Sequence, residues 1–269
     1  MKKSILFIFT ACFLFTTSCS DFLDEEHKTK YSSEYVFGTP EGLKLAVNAL
    51  YALQRYYAND TENATIFALE RGTDLAVTNG GTGNFYGIYD PNYLKPSASQ
   101  VGFMWRTMYQ IIGKANEIIA AAEDLEDTPS LRATVSEAKC FRAQSYFLLY
   151  RTFDRIWLNI QPTTAENVND PRDFHAASEK EVFDLIYEDL EYAITNLDWV
   201  SDEAGRFTQA AARHMKAKAA LWLKDWDTTL EQVEEIEKSG HFDLIALNEV
   251  FNARDLNRKE ALMVQQWSK

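Results

Sequence analysis

Cysteine and histidine are scarce in this chain: three cysteines and four histidines among 269 residues. His27, His175, His214 and His241 stand singly, so no zinc-ligand spacing exists among them, and no metal or cofactor is expected. Cys12 and Cys19 fall in the N-terminal segment and Cys140 stands alone in a helical pattern, where no nearby histidine could activate it as a nucleophile. It reads as a small buried hydrophobe. A second long apolar run is also missing. Beyond the first residues the most apolar stretch, Ser145 to Tyr150, is short and flanked by Arg142 and Arg151, far from the roughly 20 apolar residues a membrane span needs. Bases are in deficit as well, 27 against 40 acids, for a net charge of −13. Such a charge repels phosphate backbones and anionic headgroups, which excludes a nucleic-acid partner.

What is present begins at the N-terminus. Lys2 and Lys3 precede an apolar run from Ile5 to Phe15 and then Thr16-Thr17-Ser18-Cys19, the plan of a secretory signal. A cysteine at the cut followed by Ser20-Asp21 reads as a bacterial lipoprotein leader, residues 1–18, with Cys19 receiving the lipid. Thr16 stands where such leaders usually carry leucine, so a plain secretory signal is the alternative. Loss of residues 1–18 removes two lysines and no acid, leaving a mature charge of −15. Two or three acyl chains anchor a protein stably, at about 0.8 kcal/mol per buried CH₂.

From Thr39 onward apolar residues recur at helical spacing. Thr39 caps a helix opened by Pro40 with a stripe of Leu43, Val47, Leu50 and Tyr51, running to about Tyr57. A longer helix begins near Ser99, carries Trp105, Met108, Ile112, Ile119 and Ala122, and stops near Leu125. Thr128-Pro129 opens a third, apolar nearly all round in its second half and therefore central. Ser178-Glu179-Lys180-Glu181 is a capping box. Thr208 caps the helix of Ala212, Met215, Ala219 and Trp222. After a turn at Leu223 to Trp226 comes a stripe of Leu230, Val233 and Ile236, ended by Gly240. The fold class expected is all-α, tetratricopeptide-like antiparallel helix pairs with a long irregular insertion and few or no strands.

Two stretches interrupt the helices: Arg71 to Ala98, and Asn159 to Ala177. The first carries five of the eleven glycines and exceeds what a connection needs, which makes it a binding surface or a flexible excursion. Its Asp74, Asn84, Tyr86, Tyr89, Asn92 and Tyr93 combine flat rings with fixed polar groups, the pairing that suits sugar faces and hydroxyls. The competing reading has these tyrosines packing the loop onto the helices. Gly80-Gly81-Thr82-Gly83 lacks the Lys-Ser or Lys-Thr of a phosphate loop. The carboxylates at Glu123 to Asp127 and Glu231 to Glu237 read as solvated helix ends and faces, not as a glycosidase pair.

The run from Trp105 to Glu123, with its Ala115-Asn116 pair, and that from Glu137 to Phe153, with Arg142-Ala143, resemble the SusD/RagB nutrient-binding lipoproteins of Bacteroidetes outer membranes. So do Asp189-Leu190, Gly205-Arg206-Phe207-Thr208, Asp225-Trp226, Phe251 and Glu260, in order along residues 19–269. The family usually has a glycine and a proline after the aromatic helix; this chain has Asp154 and Trp157, so that turn should differ. Members are usually about twice as long, and the resemblance implies a SusD-like helical domain without the family's C-terminal half, its last run Ala261 to Val264 reading as a strand lacking partners. It further implies a non-catalytic, surface-exposed outer-membrane lipoprotein that binds a glycan or other oligomeric nutrient and hands it to a TonB-dependent, SusC-like transporter. A periplasmic lipid-anchored scaffold for protein partners is the rival. Mass spectrometry of the mature protein is expected to find a lipidated Cys19 as the first residue; an unmodified thiol there, or an uncut leader, would remove the tether.

Overall fold

The computed structural model describes residues 31–59, 97, 99–153, 155–164, 166–171, 174–250 and 259–263. In chain order the helices are α1 (Ser33–Gly38), α2 (Pro40–Asn59), α3 (Ser99–Ala122), α4 (Pro129–Thr152), α5 (Glu179–Asn196), α6 (Gln209–Leu223), α7 (Trp226–Lys238) and a single turn, α8 (Leu247–Val250). No strand occurs among the described residues. Each long helix packs on the one before and the one after; α2 also touches α4, and α4 touches α6, whereas no comparable contact joins α3 to α5. The alternate helices α2, α4 and α6 therefore lie on the inner side of a curved stack, as in tetratricopeptide-like arrays.

The helix starts follow from their caps. Thr128 Oγ1 accepts from Leu131 N at 3.1 Å, and Thr208 Oγ1 from Ala211 N at 3.2 Å. At Ser178 both halves of the capping box form, with Glu181 Oε2 accepting from Ser178 N at 2.8 Å. Lys224, at φ 61°, takes the left-handed conformation that ends α6, and Asp225 caps α7 one residue later. Thr39 serves two helices, donating to Tyr35 O of α1 at 2.8 Å and accepting from Gly42 N of α2 at 3.0 Å. The close corner requires Gly42, since a Cβ there would lie 2.1 Å from Tyr35 O. Helix α1 has no counterpart in the sequence reading. Its six residues are too few to show a period, and its one signal is the cap Ser32.

Leu43, Val47 and Leu50 of α2 are wholly buried, as their stripe predicts, and α4 is the central helix, with Leu131, Ala138, Phe141, Tyr146 and Leu149 in the core. Cys140 is buried beside them, and burial pushes its thiol well above 9.0. On α7 the expected stripe faces the wrong way. Leu230 and Val233 are 59% and 50% exposed, and the buried residue is Gln232, whose Oε1 accepts from Arg213 Nη1 at 2.8 Å. The main neighbour of α7 is α6, and that contact falls on the polar Gln232 side of α7. Ala261 to Met263 form no strand; Asp243 N donates to Lys259 O and Ile245 N to Glu260 Oε2 nearby, and Val264 lies outside the described residues.

The centre of the stack is ionic. Asp189 of α5, with no solvent exposure, accepts from Arg142 Nε and Nη2 at 2.7 Å each and from Lys139 Nζ at 2.8 Å. The remaining guanidinium nitrogen, Arg142 Nη1, donates to Asn116 Oδ1 of α3 at 2.9 Å, and Asn116 Nδ2 donates to Asn159 O at 2.9 Å. Tyr146 clamps the same residue, donating to Asn159 O at 2.7 Å and accepting from Asn159 N at 2.8 Å. Tyr109 holds Trp157 likewise at 2.8 Å on both sides, where the family usually has a glycine-proline turn. The start of the second interruption is thus pinned onto α3 and α4.

A second junction ties the loop before α6 to α2 and α4. Tyr51 donates to Glu137 Oε2 and accepts from Phe207 N; Arg206 reaches the same carboxylate at 3.2 Å, lies over the Tyr51 ring, and also pairs with Glu203. Burial outweighs the neighbouring donors and raises the Glu137 carboxyl above its ordinary 4.5.

Asp189→Ala would leave two buried cations facing no anion, and urea unfolding is expected to show a loss of about 3–5 kcal/mol, against the small effect of a surface change. Glu137 supplies the pH dependence. Because its folded pKa is raised, the native state holds a proton the unfolded chain has lost, so its contribution to stability is greatest below 4.5 and declines as pH rises from there. Glu137→Gln is expected to remove that slope when wild type and variant are compared across acid pH.

Candidate ligand-binding surface

The residues singled out for ligand contact, Asp74, Asn84, Tyr86, Tyr89, Asn92 and Tyr93, lie outside the described residues, as does Cys19. The described surroundings of the first interruption are aromatic. The nearest described helices before and after it in the chain are α2 and α3, which meet through Phe103: Tyr57 stacks on that ring with centroids 6.1 Å apart, and Tyr56 meets it edge-on at 5.7 Å. Tyr57 is buried and its hydroxyl has no partner, so burial drives its pKa far upward; Tyr56 is 61% exposed.

A ladder of rings climbs from the same helix to the surface. Phe153 meets Trp105 at 5.0 Å, Trp105 meets Tyr109 at 4.8 Å, Tyr109 stacks with Trp157 at 6.4 Å, and Trp157 meets Phe174 at 4.8 Å. Phe174, at the end, is 70% exposed. The tyrosine hydroxyl of the ladder is spent on the Trp157 backbone, so the rings are held rigidly. Rigid, partly exposed rings offer flat apolar area at little entropic cost, which suits the C–H face of a sugar. Sequence reasoning treated Trp105 as part of a helix stripe and passed over Tyr56 and Phe174. Tyr56 neighbours the buried Tyr57, and only the tertiary contact with Phe103 shows which of the two faces outward.

An open cleft of about 310 Å³ lies between the α5–α6 loop and residues 259–263, with Trp199 in its wall. Arg213 sits 5.3 Å over the Trp199 ring and His241 stacks on it at 6.2 Å, so this indole is already engaged and offers no free platform. Among the described residues no group of three or more His, Cys, Asp or Glu is placed to hold a metal ion, and no helix is long and apolar enough to cross a membrane.

The motif residues scattered through the sequence have a different fate. Asn116, Arg142 and Asp189 come together in the central ionic network, and Arg206 joins the Glu137 junction, all largely out of solvent. They build the stack.

Comparison with known proteins gives the following. A family model described as "Starch-binding associating with outer membrane" (SusD-like) matches residues 21–221. A SusD-like protein of Bacteroides ovatus is 25% identical over 292 residues, covering 99% of this chain and 50% of that protein. Among solved structures, a laminarin binding SusD-like protein superposes with a TM-score of 0.73 at 23% identity, over 83% of this chain and 50% of the other. A crystal structure with xylogluco-oligosaccharide superposes at 0.69 with 22% identity, over 84% of this chain and 46% of the other. The chain spans about half the length of the curated relatives it matches.

Proposed function

We propose a glycan-binding role from the premise that this chain belongs to the SusD-like family, whose model covers residues 21–221. The family match carries the reading, and the likeness to a laminarin binding protein and to a structure with xylogluco-oligosaccharide supports the ligand class. The protein is a non-catalytic lipoprotein: residues 1–18 direct export, Cys19 takes the lipid, and the helical stack sits on the outside of the outer membrane. It captures an oligosaccharide and passes it to a TonB-dependent, SusC-like transporter. A mature charge of −15 keeps the stack off anionic headgroups, so attachment falls to the lipid.

Ligand contact is assigned to the Arg71 to Ala98 excursion, through Tyr86, Tyr89 and Tyr93 as stacking rings and Asp74, Asn84 and Asn92 as hydroxyl partners. The exposed Tyr56, edge-on to Phe103 where α2 and α3 meet, supports that assignment. Each stacked ring contributes on the order of 0.5–1.5 kcal/mol beyond its buried area. Tyr86→Ala with Tyr89→Ala is therefore expected to weaken binding by tenfold or more on a glycan array or by calorimetry, with the far-ultraviolet helix signal unchanged. Unaltered affinity in the double variant would remove the platform.

A further inference from the structure

On the inner side of the stack a cleft of about 140 Å³ opens between α4 and α6, floored by Ile186 and Leu190 of α5. It is smaller than the roughly 300–1,000 Å³ of drug-sized pockets, and so suits one ring of a ligand. Its walls carry Gln144, Phe147 and Arg151 from α4 and Lys218 from α6, and among the described residues no acidic side chain lines it. That is unexpected in a chain of net charge −13. Elsewhere in the described stack, lysines and arginines commonly meet carboxylates: Lys44, Arg132, Lys139, Arg142, Lys180, Arg206, Lys216 and Lys238 all do. Arg151 and Lys218 meet none among the described residues. The contact Arg151 makes is with the Phe147 ring, 4.7 Å from its centroid, which leaves the guanidinium edge free to donate.

The polar groups beside these cations are also incompletely used. Gln54 Nε2 of α2 donates to Gln144 Oε1 at 2.9 Å, so the Gln144 amide nitrogen is left for the cleft, while the buried Gln54 Oε1 has no hydrogen-bond partner. Trp222 stands edge-on to Phe147 at 6.4 Å and is about half exposed, adding a flat apolar face next to the two charges. Two cations that meet no acid among the described residues and an amide donor within one small cleft, with Trp222 beside its Phe147 wall, make a site for an anionic ring bearing hydroxyls.

We propose that this cleft binds the carboxylated sugar unit, a uronate, of an acidic oligosaccharide. Arg151 and Lys218 take the carboxylate and Gln144 a hydroxyl, with the exposed Trp222 at the cleft edge for the C–H face. The site is separate from the Arg71 to Ala98 excursion, so its failure leaves the glycan reading of that excursion standing. The test is calorimetric titration of the full mature chain with an oligogalacturonate, with a neutral xylogluco-oligosaccharide, and with poly-glutamate. The oligogalacturonate is expected to bind more tightly than poly-glutamate, with an affinity that falls as salt is raised. Arg151→Gln with Lys218→Gln is expected to lower that affinity about tenfold or more while binding of the neutral oligosaccharide is unchanged, and Tyr86→Ala with Tyr89→Ala leaves the cleft contribution in place. Both cations are exposed, so the fold is retained; chemical-shift changes at Gln144 and Lys218 in the wild type give a reading that needs no variant. Absence of oligogalacturonate binding, equal loss for both sugars in the double variant, shifts elsewhere, or poly-glutamate binding as tightly as the uronate would each overturn the proposal.

Discussion

Everything in the stack leans on one buried carboxylate. Asp189 has no contact with water and is held by three charge-assisted donors from α4. Two cations against one anion would be costly in an apolar interior, but Asn116 takes the spare guanidinium nitrogen and Lys139 keeps slight solvent contact. Through Asn116 the network reaches Asn159, so three helices and the start of an irregular segment are fixed by a single connected set of bonds. A purely apolar core at the same place would tolerate sliding of α4 against α5; directional bonds to a bidentate carboxylate do not.

That arrangement explains why family likeness reveals so much about fold and so little about ligand. The residues that carry the resemblance, Asn116, Arg142, Asp189 and Arg206, sit in the two polar junctions. A buried ionic network tolerates substitution poorly, because removing one member strands the others. In the role proposed above, sugar contact is assigned to rings and hydroxyl partners outside these junctions. The same helical frame can therefore carry different glycan surfaces, which is the sense in which function is grafted onto a fold.

How much could be read in advance varied with the physical origin of each feature. Caps are local: Thr128, Ser178 and Thr208 bond within three residues of themselves, and all three helix starts fall where those residues stand. The central place of α4 followed from its apolar surround. The orientation of α7 was not legible, because its stripe of Leu230, Val233 and Ile236 has the right period whether or not a neighbour covers it. Tyr56 and Tyr57 show the same limit on a smaller scale, since adjacent identical residues face the Phe103 ring from different sides, one buried and one exposed.

The amino-acid order alone determined the helical class and the starts of the capped helices, because these depend on periodicity and capping, which act over a few residues. Tertiary structure alone decided that Asn116, Arg142 and Asp189 meet, that Glu137 shares a buried junction with Tyr51 and Arg206, and that Arg151 and Lys218 flank one cleft without an acid between them. These residues lie tens of positions apart. What brings them together is the stacking of whole helices, and no pattern along the chain encodes which side of a helix its second neighbour will occupy.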